Sequence, residues 1–496
     1  MATTTNRTER EDSPAPEVSS APPDDHRDSF LLKRLYLAFD DRTGLVTVLR
    51  KVMAHPVPPA PGWKGWMYVL GSATLFTFIV QVVTGIALAT VYVPATDAAY
   101  DSLQFISHSA AFGNQLRGIH NFGASAMVIL VGCHAMRVFL TGSYKFPREV
   151  NWLTGVVLLF MTLGMAFTGQ LLRWDQDGVW TVVILVQQAG RTPLIGTVLA
   201  HLILAGNTVG GATLSRFFAF HVFFIPALIF AFVGVHLYLV LHDGISEVPS
   251  RGRPVHPRTY RAWYAALLKR EGVPFWPDAA WRDVVMGVSV ITGIVAFALF
   301  MGAPELGKPP DPTVIEAEPR PDWYFLWYFG VLALSPAKME DYIIIGGPLV
   351  LSILLIAIPF ISNHGERSPL RRPWAVATVV LTLLMITVNT VIGSEAPWSP
   401  KFEAEPLPAR AIKSDNAQVT HGALLFHDKG CEYCHMVGGY GGTRGPDLSR
   451  VAERLTPEQM TVRILNGGTN MPAFGSNLNP QEMDDLVTFL RTRTSR

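Results

Sequence analysis

Seven stretches of this chain are predominantly apolar for eighteen residues or more: 65–93, 113–140, 152–172, 217–241, 284–301, 342–361 and 374–392. About 20 residues of α-helix cross the hydrocarbon core of a bilayer. Each stretch therefore predicts one crossing, and the fold class is an all-α membrane protein with seven transmembrane helices. Composition agrees, with 49% apolar and only 16% charged residues. A chain of 496 residues is expected to hold more than one domain. Basic and aromatic residues are not interleaved as a nucleic-acid surface requires, so no nucleic-acid partner is expected.

The second and fourth stretches each carry two histidines near opposite ends, His120 and His134 in one, His221 and His236 in the other. Fourteen residues of helix rise roughly 21 Å in almost four turns, so His120 and His134 share a face near opposite membrane surfaces. The fifteen-residue interval from His221 to His236 does nearly the same. Histidine within a membrane is costly and rare. Four polar residues packed in a bundle, or a proton path, would be the plain explanation. Two matched pairs point further, because facing imidazoles from two helices hold a haem with both axial positions filled. Two such helices would hold two b-type haems, one above the other, in a four-helix di-haem bundle. Gly71 and Gly85 in the first stretch, and Gly155 and Gly169 in the third, repeat the fourteen-residue interval. A flat macrocycle needs a residue without a side chain beside it, although small-residue helix packing in lipid also favours glycine.

Basic residues set the expected orientation. Lys145 and Arg148 lie between the second and third stretches. Arg251, Arg253, Arg258, Arg261, Lys269 and Arg270 lie between the fourth and fifth, and Arg367, Arg371 and Arg372 between the sixth and seventh. The loop before the sixth is acidic: Glu305, Asp311, Glu316, Glu318, Asp322. The N-terminus is then cytoplasmic and everything after 392 lies outside. Stretches two and four run in parallel, which pairs His120 with His221 near the outer face and His134 with His236 near the inner face.

Residues 1–29 read as a disordered tail, rich in Thr, Ser, Pro and acidic residues and without a signal-peptide core. Residues 30–53 alternate apolar and basic side chains and predict an amphipathic helix on the membrane surface. Segment 394–417 is a proline-rich linker. Beyond it, 418–496 reads as a small soluble all-α domain built on Cys431-Glu432-Tyr433-Cys434-His435. C-x-x-C-H is the pattern of covalent c-type haem attachment with His435 as proximal ligand. A redox dithiol or a chance match would be the alternatives, and zinc would need a second ligand pair. Met460 and Met483 fall in apparent helices, whereas Met471 sits in a Gly-rich loop and is the candidate sixth ligand, raising the reduction potential. Cys133, inside a span, reads as a small core residue.

With these residues in place, the chain resembles cytochrome b of the quinol-oxidising cytochrome bc complexes, fused to a class I cytochrome c. The fifteen-residue histidine interval, the seven spans and VNWLTGVVL (150–158) look closest to the chloroplast-type complex, whose b subunit is split in two. Here both pieces are joined near 245–277, giving a di-haem domain at 30–245 and a subunit IV-like domain at 246–393. The resemblance implies that His120 and His221 ligate an outer haem, and His134 and His236 an inner one. It implies that Arg173-Trp174-Asp175-Gln176 walls an outer quinol site. It also implies that Pro321-Asp322-Trp323-Tyr324 is the quinol-site tetrapeptide, with Asp322 where most members have Glu and a proton-accepting role for that carboxylate. Val69 stands where the chloroplast-type protein has a cysteine for an extra haem, so that haem is not expected. For the inner quinone site the candidates are His242, Asp243, Arg137 and Arg253, with a cytoplasmic anchoring role as the alternative for each.

The implied activity is quinol oxidation at the outer face, one electron going to a separate Rieske iron–sulfur protein and one across the membrane, with protons released outside. Expected partners are that protein, further subunits, a terminal oxidase or soluble cytochrome c, quinone, lipid, and a second copy in a homodimer. The expected location is the bacterial inner membrane. A di-haem anchor of another respiratory enzyme would need no Pro-Asp-Trp-Tyr element, and a membrane scaffold tethering a cytochrome c would carry no b-type haem.

Overall fold

The computed structural model describes residues 26–495 except 207, 312–319, 396–404, 443–444, 469–470 and 476. Seven of its helices are long and apolar enough to cross a bilayer: α1 (Leu70–Ala89), α2 (Gly113–Leu140), α3 (Glu149–Leu171), α4 (Gly211–Asp243), α5 (Phe275–Met301), α6 (Tyr342–Ile361) and α7 (Pro373–Glu395). Their outward faces carry exposed Phe300, Leu381, Ile361 and Val83. In lipid such side chains need no protein cover, and close helix approach does the packing instead.

α1 packs on α2 and α3 on α4, while α2 also meets α3 and the beginning of α4 meets α1. These four make the central bundle. α5 lies against α1 and α2, α6 against α3, and α7 against α2 and the short helix Leu326–Leu334. That last contact depends on two glycines. A Cβ on Gly330 would come 2.2 Å from the Asn389 carbonyl, and one on Gly393 2.2 Å from that of Leu326.

The helix ends facing the basic loops are capped by those loops. Arg372 donates to the Phe139 and Leu140 carbonyls at 3.0 and 3.1 Å, and Arg367 to that of Thr141 at 3.2 Å. Arg148 donates to Gly244 O, Asp243 O and the Tyr260 hydroxyl. The C-termini of α2 and α4 thus receive buried cations, which suit their negative dipole ends and unpaired carbonyls.

Several expectations are corrected. The surface helix at 30–53 is two helices, His26–Thr43 and Leu45–Met53, because Gly44 between them adopts φ 64° and breaks the hydrogen-bond run. The tail at 1–29 falls mostly outside the described residues, and 26–29 belong to the first of those helices. This region, up to His55, is a compact unit separate from Pro56–Arg496. The first span begins at Leu70, with Gly62–Met67 forming its own tight turn. The join at 245–277 carries structure of its own. It contains the helix Pro257–Glu271, and its Val273–Pro274 pairs with Pro56–Val57. Residues 396–404 of the linker at 394–417 lie outside the described residues, and Ala409–Ile412 is helical.

The C-terminal domain holds α8 (Ala417–Asp428), α9 (Pro457–Asn466) and α10 (Pro480–Arg491), with α10 packed on both others. Its core gathers Phe426, Phe489, Leu486, Met460 and Ile464. Reciprocal capping boxes start α9 at Thr456/Gln459 and α10 at Asn479/Glu482. A two-residue strand pair, Met436–Val437 with Tyr440–Gly441, is the exception to its all-α character.

Candidate functional site

The bundle brings the four histidines inward as two groups. His120 and His221 face each other with ring centres 6.3 Å apart and planes at 77°. A metal shared by two imidazoles, with bonds of about 2.0 Å and nitrogens about 1.1 Å from each ring centre, separates the centres by about 6.2 Å. His134 and His236 lie within electrostatic reach of each other at the opposite end. The four glycines meet the four histidines one to one. A Cβ on Gly71 would be 3.1 Å from His134 Cε1, on Gly85 3.2 Å from His120 Cε1, on Gly155 3.6 Å from His236 Cε1 and on Gly169 2.8 Å from His221 Cε1. The interval predicted glycine beside a macrocycle. The structure also sets each one beside an imidazole, and at Gly71, Gly85 and Gly169 a side chain would press on the ring.

Three threonines unmarked in the sequence reading complete the arrangement. Thr84 Oγ1 lies 2.9 Å from His120 Nδ1, Thr168 Oγ1 3.0 Å from His221 Nδ1 and Thr154 Oγ1 2.8 Å from His236 Nδ1. Each hydroxyl donates its one hydrogen to a backbone carbonyl, that of Val80, Gly164 or Asn151. The oxygen can then only accept, so Nδ1 carries the ring proton and Nε2 presents a free lone pair. The signal was available: each threonine immediately precedes one of the glycines, as Thr84-Gly85, Thr154-Gly155 and Thr168-Gly169. Gly71 follows Leu70 instead.

Arg117 and Arg137 sit three residues outward from His120 and His134 on α2. Nη1 of Arg117, and Nε and Nη2 of Arg137, are buried with no hydrogen-bond partner among the described residues. Arg137 also covers the ring of Tyr68 at 3.8 Å. Buried guanidinium N–H groups left unpaired are costly, and the carboxylates of a porphyrin would satisfy them. Among the described residues no three His, Cys, Asp or Glu side chains converge as a bare-metal site. The donor set suits a haem rather than a naked ion.

The loop segments at the His120 end converge. Asp175 is fully buried and accepts from Gly178 N at 2.9 Å, Gly307 N at 3.0 Å, and Arg173 Nε and Nη2 at 2.9 and 2.6 Å. Gln176 and Asp311 exchange hydrogen bonds of 3.0 and 2.7 Å. Trp174 holds φ 46°, a conformation costing about 1–3 kcal/mol for a residue with a side chain. Pro321 is buried and begins the tetrapeptide. The Tyr324 hydroxyl donates to Asp322 Oδ2 at 2.6 Å, and Trp323 Nε1 reaches Ser125 Oγ on α2 at 3.3 Å. Burial, and then the Asp322 carboxylate, push the Tyr324 phenol well above its ordinary range, so it remains a donor. Phe325 meets Phe167, the residue before Thr168, with ring centres 6.2 Å apart. The tetrapeptide therefore adjoins the His221 end of the bundle.

At the other end the predicted quinone candidates separate. His242 hydrogen-bonds Asp243 at 3.2 Å, Arg261 pairs with Asp243 at 3.5 Å, and Arg253 stacks on Trp263 at 3.2 Å, all at the surface helix Pro257–Glu271. Arg137 lies apart from them, over Tyr68. The structure also places Asp283 of α5 in a hydrogen bond with Ser72, and the Tyr68 ring under Arg137. Ser72 follows the glycine that touches His134. In sequence Asp283 resembles any charge at the start of a span, and nothing there shows that it faces α1.

In the C-terminal domain His435 Nδ1 donates to the Pro446 carbonyl at 2.8 Å, which again frees Nε2. Cys431 and Cys434 are unlinked. Burial pushes the Cys431 thiol up to about 12, the wrong direction for a redox dithiol, which needs a thiolate near neutral pH. Met460 and Met483 are buried in the helical core, whereas Met471 forms a bridge with Gly468 in its loop.

Residues 58–244 match the family described as Cytochrome b/b6/petB, residues 309–406 that described as Cytochrome b(C-terminal)/b6/petD, and residues 417–490 that described as Cytochrome C oxidase, cbb3-type, subunit III. The chain is 39% identical over 222 residues to the menaquinol:cytochrome c reductase cytochrome b subunit of Bacillus subtilis, 44% of this chain and 99% of that protein. It is 39% identical over 204 residues to cytochrome b6 of Heliobacterium mobile, 41% of this chain and 95% of that one. A solved structure titled Hyperthermophilic respiratory Complex III superposes with a TM-score of 0.61 at 26% identity, covering 72% of this chain and 91% of that chain.

Proposed function

The chain belongs to the cytochrome b/b6 family, and from that premise we propose that it is the cytochrome b subunit of a quinol:cytochrome c reductase carrying its own cytochrome c domain. His120 with His221 and His134 with His236 would hold two b haems. Cys431, Cys434, His435 and Met471 would hold one c haem. Bound there, haem supplies one-electron transfer.

Quinol binds at the outer face between Arg173–Gln176 and Pro321–Tyr324. Asp322 accepts a quinol proton, Tyr324 holds that carboxylate in place, and Trp323 braces the turn against α2. One electron leaves to a separate Rieske protein, since Cys133, Cys431 and Cys434 are the only cysteines here and leave none for an iron–sulfur cluster. The other crosses toward the inner face, at about 2.3 kcal/mol per 100 mV for a full crossing against the potential. Asp283, Ser72, Tyr68 and Arg137 bind and protonate a quinone beside His134. The chain sits in a bacterial cell membrane with its N-terminus inside and its c domain outside, within a larger and homodimeric assembly.

The 6.3 Å approach of His120 and His221 is the observation that carries this reading. Reduced-minus-oxidised spectra of the purified complex should show b-type and c-type bands, together with quinol-dependent cytochrome c reduction. His221→Ala should remove one b signal. A c-type band alone, or b signals untouched by that substitution, would falsify it.

A further inference from the structure

Asp322 does not face the outer water alone. The charge of Arg173 acts on both Asp322 and Tyr324. Its guanidinium meets two further carboxylates, Asp175 at 2.6 Å and Asp177 at 3.6 Å. These two are not equivalent. The Asp175 side chain is wholly enclosed and takes four N–H donors, so it ties the turn, the helix Gln176–Gly190 and the loop at Gly307 together. A proton on it would break those bonds. The Asp177 carboxylate accepts no hydrogen bond among the described residues and is 44% exposed, open to water on one side and to the Arg173 cluster on the other. Burial first, and then the Asp175 charge, hold its carboxyl above the usual carboxylate range, while Asp322 adds to the rise and Arg173 opposes it. Arg117 and Glu305 complete the charged surroundings.

We infer that Asp177 is the exit-side proton acceptor of the outer quinol site, receiving the proton that Asp322 takes from quinol and releasing it to the outer water. The inference rests on the quinol-oxidising reading above. The quinol O–H bond breaks and its proton passes to the Asp322 carboxylate. Asp322 hands it to Asp177, and Asp177 hands it to water. The electrons leave by the routes already given and none enters this path. Arg173 carries no proton itself, because its guanidinium stays charged at any working pH. It positions the Asp175 and Asp177 carboxylates beside each other.

The test is quinol oxidation by the purified full-length complex, followed from the most acidic pH at which the complex stays intact up to pH 9 in the unaltered protein, Asp177→Asn and Asp177→Glu. An acceptor must be deprotonated to work, so the unaltered rate should rise with pH through the raised Asp177 value. Asp177→Asn should be slower by about tenfold on the alkaline side of the Asp177 titration, where the unaltered acceptor is charged, and should converge with the unaltered rate on the acid side, where that acceptor is protonated. The deficit should shrink again at the alkaline end as hydroxide replaces the lost acceptor, and added imidazole should partly restore the rate. Asp177→Glu should keep most of the unaltered rate. An unaltered rate and pH profile in Asp177→Asn overturns the inference. So does a deficit that ignores both pH and imidazole, which would mark a structural role. Failure of the unaltered complex to oxidise quinol at all would overturn the underlying reading, and this inference with it.

Discussion

Thr168 shows how much one hydroxyl decides. It accepts the Nδ1–H of His221 while giving its own hydrogen to Gly164, which leaves the imidazole electron-rich at Nε2. An acceptor on the far nitrogen makes a histidine a stronger donor to iron and favours the oxidised metal. Thr168→Val keeps the shape and removes the acceptor. On the proposed reading, the midpoint potential of the b haem assigned to His120 and His221 should therefore rise by some tens of mV while that of the other stays put, and a redox titration would show it. Two unmoved potentials would mean the contact does not tune the site. The histidines and glycines behind this were legible because spacing alone put them on shared faces. Thr168 was not, since threonine is common in membrane helices and only the fold reveals that its hydroxyl meets a ring across two helices. Asp283 was missed for the same reason, as its partner Ser72 lies 211 positions away.

At the level of single elements, α4 resolves a mismatch visible in the sequence. At about 100° per residue, fourteen residues and fifteen residues leave their end points about 100° apart around a helix. Yet His221 and His236 serve the same two levels as His120 and His134. The backbone of α4 absorbs the extra residue in a π-turn, Phe220–Phe224, which contains His221. Such one-turn bulges often mark functional positions in helices. Deleting Val222 leaves fourteen residues and lets the turn revert to α-helix, so both b-type signals should survive. Inserting one alanine at the same place demands a second bulge, and a haem-resolved spectrum should show one signal lost or broadened. If deletion and insertion prove equally harmful, the turn is not what keeps the ligands in register. The interval was readable in advance, but its remedy was not, because no residue type specifies a π-turn. Gly44 is the opposite case, a helix break that its lack of a side chain allows.

Across the molecule, the seven spans and the helical C-terminal domain were legible because apolar run length and C-x-x-C-H are local signals. How the C-terminal domain sits was not, because it depends on side chains far apart in the chain. Asn477 donates to Asp311 Oδ1 at 2.9 Å. Asp311 is itself bonded through its backbone to Gln176, in the wall of the proposed quinol site. The domain thus touches, through Asn477, the loop beside that wall. One part-buried hydrogen bond contributes only about 1 kcal/mol. The linker makes the contact intramolecular, however, at an effective concentration of about the mM range, so a weak contact suffices to populate the docked arrangement for part of the time and release it for the rest. Asn477→Asp sets a carboxylate against Asp311 and exchanges attraction for repulsion. Protease cleavage within 405–416 should then run faster than in the unaltered complex, while b-type and c-type spectra stay the same. High salt should narrow the difference, because exposed like charges are screened over about 10 Å at 0.1 M. Equal cleavage rates at low salt would show that the domain is held by other contacts, or not held there at all.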